Sequence, residues 1–253
     1  MKGKLFFYIV MILFITACTK NTTQNPLVIG HRGARGHIAE NTLPSISKAI
    51  SLGVDGVEID VFRCATGELV VFHDHRLEKL TNATGYIEQL DLDSIRNIEV
   101  LDGFSIPTLE EVLDLIDGRV LLNIELKGAQ TALLTNRLLE RYFDSTSWSA
   151  DKIIISSFNW EELEIFYQAT TKVPIAILTE DDPLDAIPIA KKLNAVAINP
   201  NYKSLSKNNI SKIKKAGFKL YPWTVNTPES ILNLIALGVD GIITDYPERV
   251  PKQ

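Results

Sequence analysis

Residues 27–61 read LVIGHRGARGHIAENTLPSISKAISLGVDGVEIDV, and this stretch sets the fold. Two short apolar runs, 27–30 and 56–61, flank a segment at 42–52 with helical patterning. Gly53 follows that segment, where a helix end favours a left-handed residue. Strand, helix and strand in so few residues predict one βαβ unit, hence a parallel sheet.

The alternation then repeats. Further apolar runs lie at 120–126, 152–156, 174–178, 195–199, 219–223 and 241–244. Helical segments between them include 108–116, 161–169, 205–216 and 228–237, with Gly217 and Gly238 just past the last two. Eight such units within residues 27–253 predict one α/β domain, a closed (β/α)8 TIM barrel. A doubly wound open sheet shares the alternation, but eight units favour closure.

One run breaks the pattern. The apolar run 68–72 begins only eight residues after Asp60, and a parallel crossover takes about a dozen or more. With Thr66-Gly67 as the turn, it predicts an extra hairpin strand, antiparallel to the second barrel strand, that brings His73 near Asp60. Residues 74–107 carry no βα unit and read as a small insertion after this hairpin. Insertions on the strand-end face of a barrel shape access to it.

Composition narrows the chemistry. With 45% hydrophobic and 23% charged residues the chain is an ordinary globular one, which excludes disordered and fibrous classes. A net charge of −5 offers no basic footprint for nucleic acid. Two cysteines cannot build a disulfide framework, and Cys64, following a strand, reads as an unpaired structural residue. No feature assigns an oligomeric state.

The start of the chain is distinct. Two lysines in the first four residues precede an almost unbroken apolar run of 11 residues, 5–15. That is too short for a bilayer core of about 30 Å and has the form of an export signal. It ends Ile15-Thr16-Ala17-Cys18, which resembles a bacterial lipobox. This predicts a signal peptide at 1–17, lipidation of Cys18 and a tether at 18–26. The mature protein would be exported and anchored to a bacterial membrane, on its periplasmic or cell-surface side, without spanning it. A plain signal peptide with an incidental cysteine is the alternative.

The chemistry gathers at strand ends. His31 and Arg32 close the first run, and Glu58 and Asp60, two apart on the second, face the same side. That side is the barrel interior, where unpaired carboxylates cost several kcal/mol. Glu125 and Lys127 repeat the anomaly on the third barrel strand. Acidic side chains from neighbouring strands form an oxygen cage suited to Ca²⁺ or Mg²⁺; zinc is disfavoured, because no Cys/His ligand spacing is present. Singly, a strand carboxylate is more often salt-bridged and structural, and His37 and His75 read as surface or core groups. Together, His31, Arg32, Glu58, Asp60, His73, Glu125 and Lys127 occupy the face where barrel enzymes carry their sites. The set fits phosphodiester cleavage: cations for the phosphate oxygens, and two histidines as the acid and the base near neutral pH.

These stretches resemble the glycerophosphodiester phosphodiesterase family over nearly all of residues 27–250. The likeness is carried by GHRG (30–33), ENT (40–42), VEIDV (57–61), VVFHD (70–74), IPTLEEVL (106–113), NIELK (123–127), PWTVN (222–226) and GVDGIITDYP (238–247). The resemblance implies metal-dependent hydrolysis of small-molecule glycerophosphodiesters to sn-glycerol 3-phosphate and an alcohol. On matching positions, Glu58, Asp60 and Glu125 would bind the divalent cation, and His31 and His73 would be the acid–base pair. Arg32 and Lys127 would contact phosphate, and Trp223 would pack on the glycerol side, with barrel core as its alternative. The hairpin turn Cys64-Ala65-Thr66-Gly67 departs from the family's T-x-D-G, away from the chemistry. The insertion is similar only loosely, through Leu77, Leu80, Thr81 and Thr84-Gly85. Two other readings stay open: a diesterase for lysophospholipids or polyol-phosphate conjugates, and a glycerophosphodiester-binding lipoprotein without catalysis. Loss of a histidine or carboxylate would mark the last, and none is lost.

Overall fold

The computed structural model describes residues 25–251. The expected signal peptide, Cys18 and the tether as far as residue 24 lie outside them. Among the described residues no helix is long and apolar enough to cross a membrane.

The barrel begins with β1 (Leu27–His31), α1 (Leu43–Ser51) and β2 (Gly56–Arg63). The hairpin strand β3 (Leu69–Val71) pairs antiparallel with β2, Val61 facing Val71, as the short connection requires. The insertion folds into α2 (Leu92–Arg96) and a small ladder of β4 (Glu99–Val100) and β5 (Phe104–Ser105). It has its own apolar core, in which Leu77, Ile87 and Ile95 pack on Phe62, Cys64 and Val70 of the hairpin. Cys64 is buried and unpaired.

The regular alternation resumes with α3 (Leu109–Ile116), β6 (Leu121–Leu126), α4 (Ala132–Ser145), β7 (Ile153–Ser157), α5 (Trp160–Ala169) and β8 (Ile175–Thr179). It ends with α6 (Ala186–Lys192), β9 (Ala197–Pro200), α7 (Lys207–Lys215), β10 (Lys219–Leu220), α8 (Pro228–Ala236) and β11 (Gly241–Thr244). The strands lie in the order β10-β9-β8-β7-β6-β2-β1-β11. Backbone bonds close the ring between its ends: Asp240 N to Leu220 O, Ile243 N to Pro222 O and Val225 N to Ile243 O, each 3.0 Å. The fold is the expected TIM barrel.

Two expected boundaries shift for local reasons. The strand expected at 219–223 is regular only to Leu220, because Pro222 has no N–H for the ladder; Trp223 joins the sheet through a single bridge to Asn201. The helix expected at 205–216 starts at Lys207, where Ser206 caps Asn209 N and Asn209 returns the bond.

Strand alternation divides the side chains between two layers. Val57, Ile59 and Val61 of β2, with Leu122, Ile124 and Leu126 of β6, face outward into the large core beneath the helices. Inward, Ile29, Ile154, Ala176, Ala197, Tyr221 and Ile243 fill the barrel's lower part. α3 presents Leu109, Val112, Leu113 and Ile116 to the outer core and starts at a Thr108–Glu111 capping box, worth about 1 kcal/mol. The inward positions above the apolar plug are the polar ones, and they form the site.

Candidate active site

The GHRG turn places the first two residues of the site. Gly33 has φ +87°, and a Cβ there would meet Ser45 Oγ at 2.5 Å and the Ser45 carbonyl carbon at 2.6 Å. Only glycine lets the turn pack this closely on α1. Arg32 itself takes a positive φ of 51°. This conformation is uncommon for a residue other than glycine, and here the Arg32 amide donates to Glu58 Oε2 at 3.0 Å.

The ENT stretch completes that corner, one residue to each task. Glu40 accepts from Arg32 Nη1 at 2.5 Å and pairs with Arg35 Nε at 2.6 Å. Asn41 donates Nδ2 to Asp60 Oδ2 at 2.8 Å and accepts from the Asp60 amide at 3.3 Å. Thr42 caps α1 through Ser45 N. Arg32 Nε also lies 3.3 Å from Asp60 Oδ2, an ion pair without hydrogen-bond geometry.

Glu58, Asp60 and Glu125 converge as predicted. All three are buried, and one ligand oxygen from each lies within 4.8 Å of the others. Burial and the neighbouring Asp60 charge raise the Glu125 pKa to about 8, against the opposing Lys127 ammonium. Burial, Asp60 and Glu125 likewise push Glu58 well above the ordinary carboxylate range. Burial opposes ionisation of Asp60 too, but Arg32, His73, Lys127 and the Asn41 bond outweigh it and hold its pKa down. Lys127 Nζ sits 3.0 Å from Glu125 Oε1 and 4.0 Å from Asp60 Oδ1. Asp60 Oδ1 has no hydrogen-bond donor. A buried, under-neutralised set of three carboxylates with an orphan oxygen fits a hard divalent cation.

The two histidines are held alike. His31 Nδ1 lies 2.6 Å from Asp245 Oδ1, and Asn226 Nδ2 donates to the other oxygen at 2.7 Å. His73 Nδ1 lies 2.5 Å from Asp74 Oδ1. Each carboxylate fixes the ring and turns Nε2 toward the pocket. Lys127 Nζ lies 3.2 Å from His73 Nε2, and an ammonium can only donate, so that nitrogen carries its lone pair. Burial lowers the pKa of both rings, and Arg32 adds to the effect. Neither Asp245 nor Asp74 was singled out by sequence reasoning.

His31, Arg32, Glu58, His73, Glu125, Lys127 and Trp223 line one pocket of about 360 Å³ at the carboxyl ends of the strands. Phe158, Leu178 and Glu180 line it too and were also not anticipated. Asp60 lies just below, nearly inaccessible. A larger groove of about 700 Å³, between Glu110 of α3 and Arg137 of α4 on the barrel flank, contains none of these residues. His37 and His75 pair with Glu248 and Glu88 outside the pocket.

Known proteins resemble this chain in sequence and in fold. Residues 31–249 match the glycerophosphoryl diester phosphodiesterase family. A glycerophosphodiester phosphodiesterase of Caldanaerobacter subterraneus subsp. tengcongensis is 35% identical over 88% of this chain and 96% of its own length. An Oleispira antarctica phosphodiesterase, solved in complex with its product sn-glycerol-3-phosphate, superposes with a TM-score of 0.79 at 28% identity, covering 89% of this chain and 95% of its own. A putative glycerophosphodiester phosphodiesterase of Galdieria sulphuraria gives 0.80 at 26%, over 89% and 96%. Both histidines, the acidic triad and the closing TDYP stretch fall inside the matched residues, and the chain belongs to the glycerophosphoryl diester phosphodiesterase family.

Proposed function

We propose that this protein hydrolyses glycerophosphodiesters to sn-glycerol 3-phosphate and an alcohol, with a divalent cation and a histidine pair. The observation that carries the reading is one pocket lined by two carboxylate-anchored histidines and two cations, over a buried acidic triad that reaches into it through Glu58 and Glu125. Glu58, Asp60 and Glu125 would hold Ca²⁺ or Mg²⁺. When bound there, the ion neutralises phosphoryl charge as it develops.

Arg32 and Lys127 add the protein's own charge. Arg32 is fixed by Glu40, and burial of its guanidinium is outweighed by Asp60, Glu40 and Glu58, so it stays protonated throughout. Lys127 bridges Glu125 and His73 and is free to turn one N–H to a phosphate oxygen. The two histidines divide the proton work: one takes the proton of the attacking O–H, either water directly or the glycerol hydroxyl with water then opening the cyclic phosphate, as its oxygen bonds to phosphorus. The other gives a proton to the alcohol oxygen as its bond to phosphorus breaks. The lone pair on His73 Nε2 suits it to the first task and leaves His31 the second. Trp223 would pack on the glycerol side. The sequence further supports export and lipid anchoring through Cys18, which would put the enzyme at a bacterial membrane surface, in reach of phospholipid breakdown products.

The test is direct. Protein from Thr19 onward, stripped with EDTA, is assayed for sn-glycerol 3-phosphate release from glycerophosphocholine, glycerophosphoethanolamine and lysophosphatidylcholine. Release from the small diesters on restoring Ca²⁺ or Mg²⁺ is expected. Silence on both small diesters with either ion restored rules the reading out.

A further inference from the structure

Two kinds of side chain line the pocket. Arg32, Lys127 and the histidines bring charge; Phe158, Leu178 and Trp223 are apolar, and the carboxylate Glu180 follows Leu178 by two residues. A diester with its phosphate on the cations lays one of its alcohol halves along the apolar residues. We propose that Glu180 accepts hydrogen bonds from the hydroxyls of that half, and so selects a polyol phosphodiester over one built from a simple alcohol. This deepens the functional reading above and rests on it.

Glu180 directly follows β8, at the strand-end face. It is exposed, and its Oε1 accepts from Asn201 Nδ2 at 2.7 Å. Among the described residues it has no cation within ion-pair distance and no second donor, so Oε2 is open to the pocket. Asn201 is itself fixed: its amide donates to Thr179 O at 3.0 Å and its Oδ1 accepts from Lys203 N at 3.0 Å. Asn201 also makes the single bridge to Trp223. The carboxylate, its positioning amide and the indole are therefore one connected unit.

The walls beside Glu180 are equally set. Trp223 Nε1 donates to Asn199 O at 2.9 Å, and its ring meets Phe158 edge to face, centroids 5.4 Å apart at 90°. Rigid apolar faces suit the C–H surface of a short polyol, leaving its hydroxyls to the one acceptor at the rim. An aromatic pair with a carboxylate also suits a quaternary ammonium. Here, however, Lys127 Nζ lies 5.8 Å from the Phe158 centroid, so the ring already faces a cation. A second positive charge in the same pocket meets that ammonium, and an uncharged polyol does not.

Choline release from glycerophosphocholine and from propylphosphocholine separates the possibilities, because only the retained half differs. The wild type is expected to favour the glycerol compound, and Glu180→Ala to reduce that ratio of kcat/KM by about tenfold or more, chiefly through KM. Glu180→Gln, which keeps an acceptor oxygen without the charge, should recover part of it. Calorimetric affinity for sn-glycerol 3-phosphate should fall in parallel. An unchanged ratio in Glu180→Ala overturns the proposal while leaving the phosphodiesterase reading intact. A wild type that cleaves neither compound with metal restored removes both.

Discussion

His31 and Asp245 lie 214 positions apart in sequence, yet their Nδ1 and Oδ1 atoms are 2.6 Å apart. The contact exists because β1 and β11 are neighbours, Gly30 facing Thr244, which sets the two following residues side by side at the barrel mouth. Asp245 is held below the ordinary carboxylate range: burial opposes its ionisation, but the His31 bond, the His31 charge and Asn226 prevail. An ionised Asp245 holds the Nδ1–H and steadies the imidazolium that gives its Nε2 proton to the leaving alcohol.

Asp245→Asn should therefore lower kcat by roughly 10²–10⁴-fold with KM nearly constant. The fold should survive, because Asn226 and His31 can both bond an amide. Steady-state kinetics beside a thermal melt separates the effects; a variant of unchanged kcat would leave Asp245 no part in holding His31. His31→Ala and His73→Ala should fall in the same range, and full activity in both would sink the acid–base pair.

The barrel was legible because its signal is local. In β2 and β6 the apolar residues face out and the carboxylates in, and one strand's alternation is enough to see both. What escaped was supplied from elsewhere in the chain. Helix α4 has no side-chain cap of its own; Glu162 of α5 accepts from Gln130 N at 2.8 Å and Ala132 N at 2.9 Å instead. Helix α6 carries Pro188 in its first turn and is only seven residues long. Phe158 and Glu180 had a usable signal, since each continues the inward series one step past its strand: 154, 156, 158 and 176, 178, 180. The ENT stretch was visible as a motif, but its three partners, Arg32, Asp60 and Ser45, become apparent only once the chain is folded.

Gly33 and Gly67 offer a matched pair for testing the turn at the site. Both have positive φ, +87° and +104°, but a Cβ at Gly67 meets nothing within 4 Å, whereas one at Gly33 runs into the backbone of α1. Gly67→Ala should cost about 1 kcal/mol, from its dihedrals alone. Gly33→Ala should cost at least about 2 kcal/mol more, because Ser45 and Ile46 must move. At roughly 2–4 °C per kcal/mol the melting temperatures should separate clearly. Equal melting temperatures would mean that α1 yields freely and that the close packing of the turn has no energetic weight.

The proposed anchoring through Cys18 can be tested without an activity assay. The full chain expressed in a bacterium should partition with membranes and take up labelled fatty acid, while Cys18→Ser should be released as soluble protein or kept with an uncleaved signal. Fatty-acid labelling of Cys18→Ser at the wild-type level would place the modification elsewhere.

The stabilisation that the metal confers should grow as pH rises. Glu58 and Glu125 have native-state pKa values above the ordinary 4.5, Glu125 at about 8. Between those values the native state binds protons that the unfolded chain has released, so these two groups make stability fall as pH rises. The Glu125 contribution is complete below about pH 4.5 and lost on passing 8, and Glu58 acts in the same direction. Asp60 has the opposite sign, but its pKa lies below 3.8, outside this window; His31 and His73, held below 6.5, also have the opposite sign, so the comparison with and without metal is the readout rather than the slope alone. A divalent cation competes with those protons and binds the ionised triad, so the stabilisation it confers should grow across the same interval. Melting temperatures in EDTA and in millimolar Ca²⁺ or Mg²⁺, taken from pH 5 to 8, read this as a widening gap. A gap that stays constant, or closes toward pH 8, would mean that the ion does not bind at Glu58 and Glu125.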